Sequence, residues 1–240
     1  MKILPLVFAV AFVSGPVVAG EKVVKTRLMP IGVASSVKGL YFMNNGRTEE
    51  LTAGMTGLGA GIEYTGPALL AVYSDENGPL MGASGLEAQK PLTVVRLPEA
   101  DDRVLLIVAP PKKDGLAPVI RAYGLSTNDL HAGDYRLFNF SKDTVVGVLG
   151  EKRMSIKAGG IVTTRDKSWE NMTLDLPVKF GIADLKRGSR LLYFTVWGHQ
   201  PAQRNIILIF PGPSNARPLD VRRFNDVPTA NPDPRAAPKR

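Results

Sequence analysis

The chain has 240 residues, 44% of them hydrophobic and 22% charged, a composition that fits globular domains and argues against wholesale disorder. It contains no cysteine, which excludes disulfides, thiol catalysis, Cys-ligated metals and a lipoprotein anchor. The formal net charge of +8 favours anionic partners without choosing among nucleic acid, lipid and polyanionic glycan.

The N-terminus reads as a secretory signal. Met1-Lys2 is a short basic start, residues 3–13 are apolar, and Val17-Val18-Ala19 satisfies the small-residue rule for cleavage. Residues 1–19 are therefore expected to be removed after Ala19; the alternative, an uncleaved anchor, meets an apolar run that is short for a membrane span. An exported chain without cysteine points to a bacterium, with the protein in the periplasm, at the cell surface or secreted. No later stretch reaches the ~18 apolar residues of a spanning helix, so no transmembrane segment is expected in the mature chain.

Residues 22–29 read as a first strand. Residues 39–44 and 47–53 flank Asn45-Gly46, a dipeptide that supports positive φ at both central positions and predicts a type I′ hairpin. Residues 54–61 are a glycine-rich loop, 67–73 an apolar strand and 74–78 a turn; 79–90 give no clear element. Residues 124–133 are polar and turn-prone and read as a linker. Residues 134–140 match 40–44 in pattern, with Asn139 opposite Asn44. Residues 144–149 and 153–157 predict a hairpin over Gly150-Glu151, and Ser155–Gly159 (SIKAG) echoes Glu50–Gly54 (ELTAG). Residues 172–180 alternate, and Pro177 among them predicts an edge strand or a bulge. Residues 181–189 read as a polar turn. The proline-rich, charged segment 225–240 is expected to be a disordered tail.

The chain carries one stretch twice. Residues 193–224 align without a gap on 92–123 at an offset of about 101, which places Arg204 on Arg103, Pro211 on Pro110, Arg222 on Arg121 and Phe224 on Tyr123. Each copy reads as strand, polar turn, apolar strand, Pro/Gly-rich loop and strand. Short strands, frequent turn signals and about seven strands per ~100 residues predict an all-β fold: two tandem Ig-like antiparallel β-sandwich domains, residues 20–124 and 125–224. Apolar runs such as 104–109 and 206–210 are expected to be central strands with both faces covered. They do not alternate as the strands of a membrane barrel do.

Catalytic and metal signals are sparse. His131 falls in the linker and His199 in the turn after Trp197, and neither has a second ligand at metal-binding spacing. Ser35-Ser36-Val37-Lys38 matches S-x-x-K without the K-T-G element that accompanies it in enzymes. The glycine-rich run 57–61 lacks the helix that a phosphate loop opens. Asp75-Glu76-Asn77-Gly78 lacks the spacing of a calcium loop. No cofactor and no metal are expected.

The remaining candidates are interaction residues. Trp169, Tyr193 and Trp197, with His199 beside them, are aromatic candidates for stacking on a sugar ring or contacting a protein; a core role is the alternative for the tryptophans. Arg121 and Arg222 suggest structural pairs with carboxylates or loop carbonyls. Between Lys186 and Arg240 lie ten basic and three acidic residues. If Lys186, Arg187, Arg217 and Arg223 share a face, it would dock an anionic envelope polymer or lipid headgroup. The sequence therefore predicts an exported, non-catalytic interaction protein that binds a protein or anionic envelope component. A carbohydrate-binding pair is the first alternative, and an enzyme whose residues converge only in three dimensions is the second. Nucleic acid is not expected as a partner, since no recognised binding motif is present.

Overall fold

The computed structural model describes residues 22–33, 35–58, 61–79, 89–99, 101–110, 116–126, 129–184 and 188–227. The expected signal segment, the expected tail from residue 228 onward, and Lys186 and Arg187 lie outside these residues. The chain divides between Gly124 and Leu125 into two compact units. Among the described residues there is no α-helix, only one 3-10 turn at Lys167–Trp169, and no helix is long and apolar enough to cross a membrane.

The first unit holds β1 (Val23–Gly32), β2 (Tyr41–Asn44), β3 (Arg47–Glu50), β4 (Ile62–Pro67), β5 (Leu69–Tyr73), β6 (Thr93–Arg96), β7 (Arg103–Ala109) and β8 (Val119–Gly124). Its two four-stranded sheets run β4-β1-β7-β8 and β3-β2-β5-β6. The second unit holds β9 (Tyr135–Asn139), β10 (Val145–Leu149), β11 (Lys152–Ile156), β12 (Ile161–Thr164), β13 (Leu174–Asp184), β14 (Gly188–His199), β15 (Arg204–Pro211) and β16 (Leu219–Asp226). Its sheets run β12-β9-β15-β16 and β11-β10-β13-β14, the same two orders with every strand number raised by eight. The protein is all-β, two tandem β-sandwiches. All pairs are antiparallel except β1 with β7 and β9 with β15, the central pair of one sheet in each unit.

Local chemistry explains the turns. Asn45 and Gly46 both have positive φ, 47° and 77°, as a type I′ turn requires, and β2 and β3 pair across them from Asn44↔Arg47. In the matching hairpin Gly150 has φ 60° and Glu151 is not in that region, the pattern of a type II′ turn. Asp75 accepts from the Asn77 N–H through its carboxylate at 2.7 Å and from the Gly78 N–H through its carbonyl at 3.0 Å, so the acidic turn caps itself.

The repeat is real in register and slips in one place. Ile107 pairs with Arg121 and Leu208 with Arg222, so β7–β8 superpose on β15–β16 at the expected offset of 101. The strand before them does not follow. Leu70 pairs with Val95 in β5–β6 and Val178 with Thr195 in β13–β14, and the burial pattern of 93–97 matches 193–197 at an offset of 100. The turn into β15 is therefore one residue longer. One residue moves a side chain to the other face of a strand: Trp197 corresponds to the buried Leu97, not to the exposed Arg96. The match of 134–140 with 40–44 also needs correcting. β9 pairs parallel with β15 as β1 pairs with β7, so residues 135–139 repeat β1, and β10 repeats β2.

Two strands form in segments that carry no strand signal. β4 ends on Gly66-Pro67, which suits an edge strand, and Gly66 leaves room for the Tyr64 ring, whose hydroxyl would sit 2.6 Å from a Cβ there. β12 is four residues long and follows Gly159-Gly160. The expected polar turn 181–189 is mostly strand, since β13 runs to Asp184 and β14 starts at Gly188. Pro177 lies in β13, an interior strand and not the expected edge, one residue beyond the β10 ladder, and its carbonyl accepts from the Gly150 N–H at 2.9 Å.

Each unit has its own core. In the first, Leu28, Phe42, Leu51, Leu70, Val72, Val104 and Leu106 pack between the sheets. In the second, Leu137, Val145, Leu149, Val178, Phe180, Ile207 and Ile209 do so. β7 is buried at every position but its last, and β15 likewise, as their unbroken apolar runs require.

Among the described residues, Arg204 is the one cation of the second unit with no exposed surface. Its Nε and Nη2 donate to Asp226 Oδ2, and its Nη1 donates to the carbonyls of Leu125 (2.9 Å) and Leu130 (3.4 Å). Two expectations change as a result. Asn225 and Asp226 belong to β16 rather than to a tail. Leu125 and Leu130, in the expected linker, are fully buried and held by the guanidinium.

Candidate functional site

The aromatic candidates converge inside the second unit. Trp197 keeps 6% of its surface and Trp169 7%, and both belong to the core cluster, with Tyr193 partly buried against it. The Tyr135 and Trp197 rings stack at 6.4 Å, and Trp169 meets Tyr135 edge-on at 5.9 Å. The glycan-stacking role expected of these tryptophans is corrected accordingly, because neither presents a ring face to solvent.

His199 is also corrected, from a surface turn to a buried strand end with no exposed surface. Its Nε2 lies 3.1 Å from the Trp169 carbonyl, which can only accept, so Nε2 carries the hydrogen. Nδ1 then accepts from the Tyr135 hydroxyl at 3.0 Å. Burial lowers the pKa of His199; the bond to the Trp169 carbonyl opposes the shift and the nearby Arg223 charge adds to it. The imidazole is therefore neutral at neutral pH and fully engaged. Burial likewise pushes the Tyr135 phenol up to about 12, partly offset by Arg223.

The two described basic candidates, Arg223 and Arg217, have separate partners. Arg223 lies over Trp197 at 5.4 Å and donates to Asn205 Oδ1 and to the Gly198 carbonyl. Arg222, next along β16, points the other way and pairs with Asp220, the carboxylate role expected of it. Arg121, at the matching place in the first unit, is exposed. Arg217 is exposed in the β15–β16 loop, 3.7 Å from Asp220. Lys186 and Arg187 lie outside the described residues.

A different surface gathers what these residues do not. The solvent face of β11-β10-β13-β14 carries a row that crosses all four strands: Arg153, Val148, Lys179 and Phe194. The next row is Ser155, Val146, Gly181 and Leu191. Phe194 is 62% exposed, Leu191 56% and Val196 54%. The Lys179 ammonium stands 5.7 Å from the centre of the Phe194 ring.

A β-bulge shapes this face. Phe180 opposes Tyr193 and Gly181 opposes Leu191, which leaves Leu192 as the extra residue. The backbone closes so tightly there that a Cβ on Gly181 would lie 2.2 Å from the Arg190 carbonyl oxygen, so only glycine fits. The bare Gly181 lowers the floor between Val146 and Leu191 into a groove of about 480 Å³.

The groove's charge is one-sided. Among the described residues, Arg153, Lys179 and Arg190 line it, and no carboxylate and no neutral hydrogen-bonding side chain does. None of the three cations forms an ion pair among the described residues. The nearest sequence signal for the face was the alternation in 172–180, which placed Lys179 and Pro177 on one side. Nothing in the sequence joined it to Arg153 or Phe194.

No protein-family model matches this sequence, and a search of curated proteins finds no significant match.

Proposed function

We propose that the protein is an exported, non-catalytic binding protein of the bacterial envelope or extracellular space, and that its second unit binds an anionic partner through the solvent face of β11-β10-β13-β14. The observation that carries this reading is the row Arg153–Val148–Lys179–Phe194, in which cations that form no ion pair among the described residues alternate with the half-buried Val148 and the exposed Phe194. Isolated exposed apolar residues are ordinary, but a contiguous set bordered by charge marks an interaction surface. The histidine that sequence placed near an exposed turn is engaged in the core, which leaves it unsuited to acid–base work.

Co-sedimentation of the exported protein with isolated cell-wall sacculi and with envelope membranes, over a salt series, tests this reading. Binding to at least one of them, weakened by salt, is expected. No binding to either, or turnover of glycans, peptides or esters by the purified protein, would overturn it.

A further inference from the structure

We infer that the partner of this face is an anionic lipid surface. The inference rests on the binding role proposed above and narrows it. The first unit supplies an internal comparison, because it repeats the same sandwich. Where the second unit has Arg153, Val148, Lys179 and Phe194, the first has Thr48, Met43, Ala71 and Val94. Where the second has Ser155, the first has Glu50. The fold therefore does not demand cations at these places; the second unit carries them in addition to the scaffold.

The chemistry of the face selects among anionic partners. A sugar hydroxyl both donates and accepts, so a polymer of sugars is read by side-chain acceptors as well as donors, and among the described residues the groove lining offers cationic donors but no acceptor side chain. An anionic membrane offers phosphates at one depth and acyl chains just below. Arg and Lys suit the first with their charged heads while their stems lie along apolar surface. Phe194, Leu191 and Val196, each more than half exposed, suit the second. Lys179 beside the Phe194 ring places both chemistries at one point. Asp175 of β13 and Glu151 of the β10–β11 turn lie outside the groove lining. The overall charge of +8 adds long-range attraction to such a surface.

The test is flotation of the exported protein with vesicles of phosphatidylcholine alone and of an equal mixture with phosphatidylglycerol. Binding is expected to the mixture and not to phosphatidylcholine. Lys179→Gln should lower vesicle partitioning about fivefold, from the typical contribution of one cation at an anionic surface. Phe194→Ser should remove the part of the binding that survives high salt. Arg96→Gln, a charge change equal to that of Lys179→Gln at the place in the first unit that matches Val196, should change neither result. Circular dichroism melts establish that each variant is folded, and Lys179→Gln is a mild exposed change should Phe194→Ser fail. Unchanged partitioning in both Lys179→Gln and Phe194→Ser would overturn the inference. Binding to sacculi or soluble polyglutamate but not to vesicles would overturn it while leaving the broader binding role standing. Binding to none of them would overturn both.

Discussion

Lys179 and Phe194 face each other across β13 and β14 on the solvent side of the second unit, with the ammonium 5.7 Å from the ring centre. Neither side chain supports the core below, where Val178 and Thr195 alternate inward. Replacing Phe194 by Ser should therefore change stability by no more than about 0.5 kcal/mol, the usual range for surface positions. A urea melt checks this. A loss of several kcal/mol would mean that Phe194 is structural and would weaken its assignment to a binding face.

Trp197 should behave in the opposite way. It fills the core position that Leu97 fills in the first unit and packs against Tyr135 and Phe180. Truncation to Ala leaves a cavity and costs about 3–5 kcal/mol. The same melts would show this as a large drop in midpoint. A variant as stable as the parent would contradict the buried placement.

Arg204 and Asp226 form an ion pair away from water, and the guanidinium also holds the Leu125 and Leu130 carbonyls. Arg204→Ala leaves a buried carboxylate and those carbonyls without their donor. The expected loss is about 3–5 kcal/mol, far more than an exposed ion pair contributes. Removing both charges in Arg204→Met/Asp226→Leu should cost less than Arg204→Ala alone.

His199 gives the stability a pH dependence of known sign. Its pKa is lowered in the folded protein, so the unfolded chain binds the proton more readily. Its contribution is complete above the unfolded value of about 6.5. It is lost as pH falls below that value and through the folded one. Tm should decline as pH falls below about 7, and His199→Gln should show a shallower decline. Parallel curves for the two proteins would show that His199 is not the titrating group.

Gly181→Val should destabilise by about 1–3 kcal/mol, because its Cβ meets the Arg190 backbone carbonyl rather than a side chain that can turn away. Thermal melts read the effect. An unchanged melt would mean that the bulge relaxes.

Much of this fold is legible in the sequence, and the reasons are local. Asn45-Gly46 fixes its own turn geometry, and the unbroken apolar runs of β7 and β15 announce strands covered on both faces. The repeat is readable where it is ungapped, over β7–β8 and β15–β16. It misleads at Trp197, because a single added residue before Arg204 reverses which face is read. Arg204 looks like surface charge until Asp226 comes back beside it from the far end of β16. The candidate site was not legible at all. Arg153, Val148, Lys179 and Phe194 become neighbours only when four strands align in register, and no spacing in the chain records that.

A single label tests whether the solvent face of β11-β10-β13-β14 is the contacting surface. Because the chain has no cysteine, one can be introduced alone and labelled with an environment-sensitive fluorophore. Val196→Cys places the label at the border of the face, and Arg96→Cys places it at the matching position of the first unit. On addition of envelope membranes a blue shift is expected at position 196 and none at position 96. A shift at 96 with none at 196, or no shift at either under conditions where the protein co-sediments, would contradict that expectation.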